Sequence, residues 1–145
     1  MGLMKTKAIS SIFVLFAIAA GMASMAPAAF ADHAEVSIGA VEESGFSLSC
    51  VETGCYTPSV ATVDVGGVVT MTNTDPTGVH TFTSGTVDGE VPKPDGMFDS
   101  KVLMSVDAYE RKFSQKGTYD YYCMLHTWMV GEIIVQEVAA EEHAD

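Results

Sequence analysis

The chain has 145 residues, with 19 Asp or Glu against 7 Lys or Arg and a formal net charge of -12. This excess of acid repels the polyphosphate backbone of nucleic acids, so nucleic-acid binding through a basic patch is excluded. Hydrophobic residues make up 48% of the chain. That content is too high for a disordered chain and sufficient for the core of one compact domain.

Residues 1–31 have the layout of a secretory signal peptide. Lys5 and Lys7 precede an uncharged apolar run, which ends in the small-residue sequence Ala29-Phe30-Ala31. A basic start, an apolar centre and an A-x-A cleavage site are typical of exported proteins. We therefore expect a periplasmic, cell-surface or secreted location, with residues 32–145 forming one domain that ends in a short acidic tail.

An uncleaved anchor is the alternative interpretation of the same segment. Its uncharged run has about the length that spans a bilayer, roughly 20 residues, whereas Pro27 and the A-x-A ending favour cleavage. Any membrane attachment is expected only through this segment. Cleavage would remove two lysines and no acid, leaving 5 basic against 19 acidic residues and a net charge of -14. Such a charge favours basic partners.

The rest of the chain consists of short runs rich in Val, Ile, Thr, Tyr and Phe, separated by clusters of Gly, Pro, Asp and Ser. Such runs predict strands, and no segment holds a helical period for three turns. Many short strands in one small domain indicate an all-β antiparallel sandwich or barrel. Residues 92–100 are expected to form a loop. The predicted strands are residues 35–40, 46–51, 60–65, 68–73, 79–84, 102–106, 109–113, 119–123 and 131–137.

The three cysteines leave one unpaired after any disulfide. Cys50 and Cys55 are separated by a turn-like Val-Glu-Thr-Gly spacer that can bring their Cα atoms within disulfide range. Their pairing would leave Cys123 alone, although Cys123 could instead pair with either of them. The three cysteines and His126 also form a nominal zinc set, but structural zinc prefers two closely spaced cysteine pairs.

The segment Cys123-Met-Leu-His126-Thr-Trp-Met129 follows a predicted strand and places a thiolate, an imidazole and a thioether on one short loop. A second imidazole is available from His80, in the upstream sequence Thr-Gly-Val-His-Thr-Phe. Two imidazoles, one thiolate and a weak axial thioether are the ligand set of a type 1 copper site. The thiolate suits Cu(I) and the imidazoles suit both oxidation states, so this set predicts electron transfer through one copper ion per chain.

The sequence Gly117-Thr-Tyr-Asp-Tyr-Tyr-Cys-Met-Leu-His-Thr-Trp-Met129, with a histidine upstream, resembles the plastocyanin/amicyanin group of cupredoxins over roughly residues 60–136. The resemblance implies a Greek-key β-sandwich. The short spacing from the second histidine to the methionine resembles amicyanin more than plastocyanin, and no proline flanks that histidine as in several relatives. The copper ligands that the resemblance implies are His80, Cys123, His126 and, as the weak axial ligand, Met129.

Several neighbours of these ligands are expected to support them. In similar sequences, the positions that match Asn73 and Asp75 shape the loop before the first ligand, and Thr81 follows that ligand directly. Trp128 stands between two ligands, where it would cover the metal with apolar surface or form part of a docking patch with Leu125.

The predicted function is that of an exported blue copper protein that passes single electrons between redox proteins. His126 would be the electron port if its ring edge reaches the surface between Leu125 and Trp128. Two rivals are a copper enzyme acting on a small molecule such as nitric oxide at an open coordination position, and a copper-holding or sensing module. The sequence has no nucleophilic elbow or phosphate-binding glycine loop.

Overall fold

The computed structural model describes residues 33–138, so the predicted signal peptide and the acidic tail lie outside the described residues. Within this range the chain forms nine strands and one single-turn 3₁₀ helix, Leu48–Cys50. No helix of residues 33–138 is long and apolar enough to cross a membrane. The strands are β1 Glu35–Ala40, β2 Tyr56–Thr57, β3 Val60–Asp64, β4 Val68–Thr72, β5 Thr83–Asp88, β6 Val91–Asp99, β7 Ala108–Lys112, β8 Gly117–Tyr122 and β9 Val130–Gln136.

The strands form two sheets that pack around one core. One sheet has the strand order β2-β1-β4-β7, and the other has the order β3-β9-β8-β5-β6. Alternate side chains of each strand point into the space between the sheets. Val69 and Met71 of β4 and Ile133 and Val135 of β9 are buried there. The predicted all-β sandwich is therefore confirmed.

The expectation of antiparallel pairing needs one correction, because two strand pairs are parallel. β1 pairs in parallel with β4, and β3 pairs in parallel with β9, while the remaining named pairs are antiparallel. Parallel neighbours cannot be joined by a tight hairpin and need a crossover connection. Between β1 and β4 the chain passes through β3 of the opposite sheet, and this crossover allows β1 and β4 to run in parallel.

The predicted loop at residues 92–100 is wrong, because most of it belongs to β6. This strand pairs with β5 and lies at the edge of its sheet. An edge strand tolerates Pro92 and Pro94, since one side of its backbone needs no ladder partner for the missing N–H groups.

The predicted strand at residues 46–51 is also wrong. The segment contains the 3₁₀ helix instead, and the Ser47 side chain accepts a hydrogen bond from the Ser49 N–H at its start. Phe46 and Leu48 are 77% and 63% exposed, so these two apolar side chains do not face the core.

The segments around His80 contain less strand than expected. Residues 102–106 contribute only an isolated bridge between Leu103 and His80, and β5 begins only at Thr83. At the same end of the sandwich, β8 stops one residue before Cys123 and β9 begins one residue after Met129. The fold therefore brings both segments that contain predicted metal ligands to one end of the sandwich.

Gly85 lies at the irregular register between β5 and β6, and we expect a glycine at this position to be required for the stability of the fold. Its φ of 133° disfavours other residues, and an added Cβ would overlap the carbonyl oxygen of Lys93. Gly89 has a φ of 64° and open space around an added Cβ, so it is the matched control. Gly85→Ala should lower the free energy of unfolding by about 1–3 kcal/mol more than Gly89→Ala, as measured by denaturant unfolding. Equal losses would contradict this steric argument.

Candidate metal centre

Donor atoms of three side chains converge at this end of the sandwich. The Sγ atom of Cys123 lies 3.9 Å from Nδ1 of His80 and 3.6 Å from Nδ1 of His126. One donor atom from each residue lies within 4.8 Å of the other two. His80 and Cys123 are fully buried, and His126 is half-buried.

The two sulfur–nitrogen separations are close to those of a thiolate and two imidazoles bound to one metal ion. Metal–sulfur and metal–nitrogen bonds of about 2.3 and 2.0–2.1 Å, at angles of about 110–120°, put the nitrogen and sulfur atoms roughly 3.5–3.8 Å apart. The 3.6 Å separation lies within this range, and the 3.9 Å separation lies 0.1 Å above it. A thiolate with two imidazoles suits copper in both of its common oxidation states, so the residues present fit copper.

Backbone hydrogen bonds give the loop between β8 and β9 its tight shape. The N–H of His126 donates to the C=O of Cys123 at 3.3 Å, and the N–H of Met129 donates to the C=O of His126 at 2.9 Å. The N–H of Cys123 donates to the C=O of Met129 at 3.0 Å. The loop therefore turns twice and closes on itself, with the Met129 side chain fully buried.

A buried carboxylate holds the second ring nitrogen of His80. Nε2 of His80 lies 2.7 Å from Oδ2 of Asp75, and both side chains are fully buried. Oδ1 of Asp75 accepts hydrogen bonds from the N–H and O–H of Thr77, at 2.8 and 2.6 Å, and from the N–H of Glu43 at 3.1 Å. Burial raises the pKa of Asp75, but these hydrogen bonds outweigh it and lower the pKa to about 2. The ionised Asp75 therefore orients Nδ1 of His80 toward Cys123.

Hydrogen bonds around Cys123 favour its thiolate. Burial raises the pKa of the thiol, but hydrogen bonds from His80 and from backbone N–H groups outweigh burial and lower it. The N–H of Thr81 contributes at 3.4 Å from Sγ. Thr81 also accepts hydrogen bonds from the N–H of Met124 at 2.8 Å and from the Tyr56 hydroxyl at 2.6 Å. Thr81 thus joins the two ligand-bearing segments and favours the form of Cys123 that binds metal.

The side chain of Asn73 closes the turn that leads to His80 by hydrogen bonding within it. Nδ2 of Asn73 donates to the carbonyl oxygens of Gly78 and Leu103, both at 2.9 Å, and its Oδ1 accepts the N–H of Asp75 at 3.1 Å. These bonds link Asn73 to Asp75 and Gly78 in the turn that precedes His80, and to Leu103.

The segment between β1 and β2, residues 41–55, passes over the metal centre, and we call it the strap. A Cβ added to Gly45 would lie 2.9 Å from Cε1 and 3.0 Å from Nε2 of His126. The backbone of Gly45 therefore packs against the ring edge that faces away from Cys123. Burial and the nearby His80 lower the pKa of His126, which favours the neutral ring that can bind metal through Nδ1.

Side-chain contacts and one disulfide fasten the strap. Nε1 of Trp128 donates to the C=O of Ser44 at 2.9 Å, and Oγ of Ser44 lies 3.4 Å from Nε2 of His80. Cys50 and Cys55 form a disulfide within the strap. Cys123 remains a free thiol, so the cysteine pairs required for the zinc alternative do not exist.

The strap was missed by sequence reasoning, which predicted a strand in part of it. The signal that identifies it is the Ser44-Gly45 pair, a turn-forming dipeptide shortly before the disulfide-bonded turn. Leu125 lies 48% exposed on the neighbouring ligand loop. Trp128 is half-buried, with its ring 5.3 Å from the His126 ring.

A sequence model of copper-binding proteins, the plastocyanin/azurin family, matches residues 51–136, more than half of the chain. The chain belongs to this family of copper-binding cupredoxins. The cluster of His80, Cys123 and His126 is therefore its candidate copper site.

Individual relatives agree with this assignment. Amicyanin-alpha of Methylorubrum extorquens is 37% identical over 82 residues, which are 55% of this chain and 62% of that protein. The chain thus spans less than two thirds of that relative. The structure of a purple cupredoxin from Nitrosopumilus maritimus has a TM-score of 0.59 at 31% identity and covers 70% of this chain and 99% of its own. A copper-containing nitrite reductase from Thermus scotoductus has a TM-score of 0.51 at 27% identity, over 72% of this chain but 23% of the enzyme.

Asp75→Asn should raise the reduction potential of the copper-loaded protein. The carboxylate stabilises the higher positive charge of the oxidised site, and the amide keeps its size while removing its charge. We expect a rise on the order of tens of millivolts, where about 59 mV corresponds to a tenfold change for a one-electron couple. Redox titration followed by visible absorption measures it.

Asp64→Asn provides the control for this charge effect. Asp64 is also buried, at 7% exposure, but it ends β3 and accepts a hydrogen bond from Gln136 at the opposite end of the sandwich. Equal shifts in the two variants would contradict a specific role for Asp75.

Proposed function

We propose that this protein is an exported type 1 copper protein that carries single electrons between redox partners. The observation that supports this most strongly is the convergence of His80, Cys123 and His126 beneath the strap. Copper bound there would supply a Cu(II)/Cu(I) couple. The task of the protein is to hold the three donors in place and to exclude water from them.

Each donor is restrained from behind by a specific contact. Asp75 binds the outer nitrogen of His80, and the N–H of Thr81 donates to Sγ of Cys123. The strap backbone packs against the outer edge of His126. Such outer contacts keep the donors oriented when the charge of the site changes. A small rearrangement between oxidation states favours rapid electron exchange, which is what a carrier requires.

The covered site favours the carrier over a copper enzyme. An enzyme acting on nitric oxide or another small molecule needs an open coordination position beside the strong ligands. His80, Cys123 and Met129 have no exposed surface, and the strap lies on the outer side of His126. A copper-holding module would share this covered geometry, and slow electron exchange with small redox reagents would distinguish it from a carrier.

Met129 is proposed as the weak axial ligand. Its backbone is hydrogen-bonded to the backbones of Cys123 and His126. Its side chain is fully buried in the same core cluster as Cys123. A thioether in that position would complete the ligand set of a type 1 site.

The protein is also proposed to be exported and to act on partners with basic docking surfaces. Disulfides persist in oxidising compartments, and the Cys50–Cys55 bond supports an extracytoplasmic location. The excess of 19 acidic over 7 basic residues favours electron donors and acceptors with basic docking surfaces, since opposite charges accelerate their encounter.

Copper loading should give one ion per chain and intense visible absorption, because a thiolate bound to Cu(II) produces a strong charge-transfer band. Cys123→Ser should abolish that band, while zinc loading of the unaltered protein should leave it colourless. Metal analysis and a visible spectrum test both. A colourless copper-loaded protein, or an unchanged spectrum for Cys123→Ser, would refute the copper–thiolate site and with it the proposed function.

Variants of Met129 should separate the carrier from the enzyme. Met129→Gln should keep the colour and lower the reduction potential, because a harder oxygen donor favours Cu(II), and Met129→Leu should raise the potential. Added azide or nitric oxide should leave the spectrum of the unaltered protein nearly unchanged. Large spectral responses to these ligands, together with unshifted potentials in both variants, would favour the enzyme.

A further inference from the structure

A cavity of about 250 Å³ lies at one lateral edge of the sandwich, and we call it the side cavity. It is lined by Met97 of β6, by residues 111–115 at and after the end of β7, and by Tyr119 of β8. β6 and β7 are edge strands of opposite sheets, so the side cavity lies where the two sheets meet. None of its lining residues is a candidate copper ligand.

Unpaired positive charge gathers around the side cavity. Residues 33–138 contain five Lys or Arg side chains, two of which form ion pairs with aspartates. The three without an ion-pair partner in this range are Arg111, Lys112 and Lys116. The first two line the cavity, and Lys116 comes directly after its lining segment. In a chain with a net charge of -12, the side cavity is therefore a local positive region.

Arg111 is the most constrained of these cations. Its register partner on β4 is Val69, which is fully buried, so the Arg111 side chain starts toward the inside of the sandwich. Its guanidinium carbon lies 5.5 Å from the centre of the Phe98 ring and 5.6 Å from that of the Phe113 ring. These cation–π contacts hold the charge in place but supply no hydrogen-bond acceptor.

The Nε–H of Arg111 is buried without a hydrogen-bond partner among the described residues. Such a group is costly to bury, because it has lost water and gained no acceptor. A charge that points inward from an edge strand can discourage pairing with another sheet, but that role does not require a buried, unused donor. The unused donor beside an open cavity indicates that an acceptor binds there.

The surroundings of Arg111 combine polar and apolar groups. Lys112, Ser114 and Gln115 line the cavity, and their side chains make no hydrogen bond within residues 33–138. The Tyr119 hydroxyl donates to the C=O of Gln115 at 2.9 Å, which holds the loop in place. Phe113 and Tyr119 pack ring against ring at 5.0 Å, and Met97 is 43% exposed at the cavity.

This combination selects the chemistry of a ligand. The guanidinium group is a planar fork of donors that matches the two oxygens of a carboxylate. The aromatic rings and Met97 favour a ligand that also has an apolar body. Sites for drug-sized ligands usually have volumes of roughly 300–1,000 Å³, so the side cavity suits a smaller molecule.

We propose that the side cavity binds a small organic carboxylate with an apolar body, and that Arg111 binds its carboxylate group. Lys112 adds attraction from the rim. The inference does not depend on the electron-carrier function, because the side cavity shares no residue with the candidate copper site.

Benzoate is a suitable probe, with benzamide as its uncharged analogue and inorganic phosphate as an anion that lacks an apolar body. Each is titrated into the reduced, ¹⁵N-labelled protein, and the Nε–H signal of Arg111 is followed by NMR. Arg111 is the only arginine of the chain, so this signal is unambiguous. Benzoate should shift it saturably, together with the backbone signals of residues 111–115. Benzamide and phosphate should each bind roughly tenfold or more weakly than benzoate.

Substitutions separate the donor fork from charge alone. Arg111→Lys keeps the charge but removes the fork, and it should weaken benzoate binding roughly tenfold, as measured from the backbone signals. Lys112→Gln should weaken binding roughly twofold to fivefold. Lys101→Gln is the matched control, since Lys101 loses the same charge but does not line the cavity, and it should leave the affinity nearly unchanged. If Arg111→Lys fails to fold, the comparison of the two lysine variants still decides.

Several results would overturn the inference. It is wrong if benzoate causes no saturable shift at Arg111, if benzamide or phosphate binds as tightly as benzoate, or if Lys112→Gln and Lys101→Gln bind benzoate equally. It is also wrong if joint Glu141→Gln and Glu142→Gln substitution shifts the Arg111 signal before any ligand is added, because a carboxylate of the chain itself would then fill the cavity. The visible spectrum of the copper-loaded protein tests the proposed function separately, and benzoate should leave it unchanged.

Discussion

The buried hydrogen bond between Nε2 of His80 and the Asp75 carboxylate connects the parts of the molecule that form the metal centre. A buried carboxylate is costly unless its oxygens are satisfied. Asp75 meets this requirement by accepting hydrogen bonds from Thr77 in its own loop and from Glu43 in the strap, as well as from His80. One charged group therefore holds together the loop that precedes His80, the His80 ring and the strap.

The charge of this group would also affect copper bound at the site. An ionised Asp75 and the Cys123 thiolate bring two negative charges into a buried region, and these would balance the two positive charges of Cu(II). With Cu(I), one negative charge would be left in excess. Burial strengthens the interaction because water screens these charges poorly there. The arrangement would thus stabilise the oxidised state of copper bound there, and the ligand set and the burial of the site would act together with it in setting the reduction potential.

The candidate copper site of His80, Cys123 and His126 was predictable because its donor residues lie in short, local motifs. Cys123, His126 and Met129 lie on one loop of the sequence, and His80 completes a set of donors that few functions other than copper binding require. Asp75 was expected to shape a loop, and its contact with His80 depends on how that loop folds. The strap was not predictable from the same reasoning, because its contacts with His126 and Trp128 join residues about eighty positions apart.

The sequence by itself determined the all-β class, most of the strands, the copper-binding family and the chemical nature of the donors. Alternation along a strand and the spacing of ligand side chains are local properties, and local properties survive in a linear sequence. Only the tertiary structure decided that two strand pairs are parallel, that the proline-containing segment 91–99 is an edge strand, and that residues 41–55 cover the site. Each of these depends on which distant segment lies alongside, and packing between distant segments is settled by the whole fold.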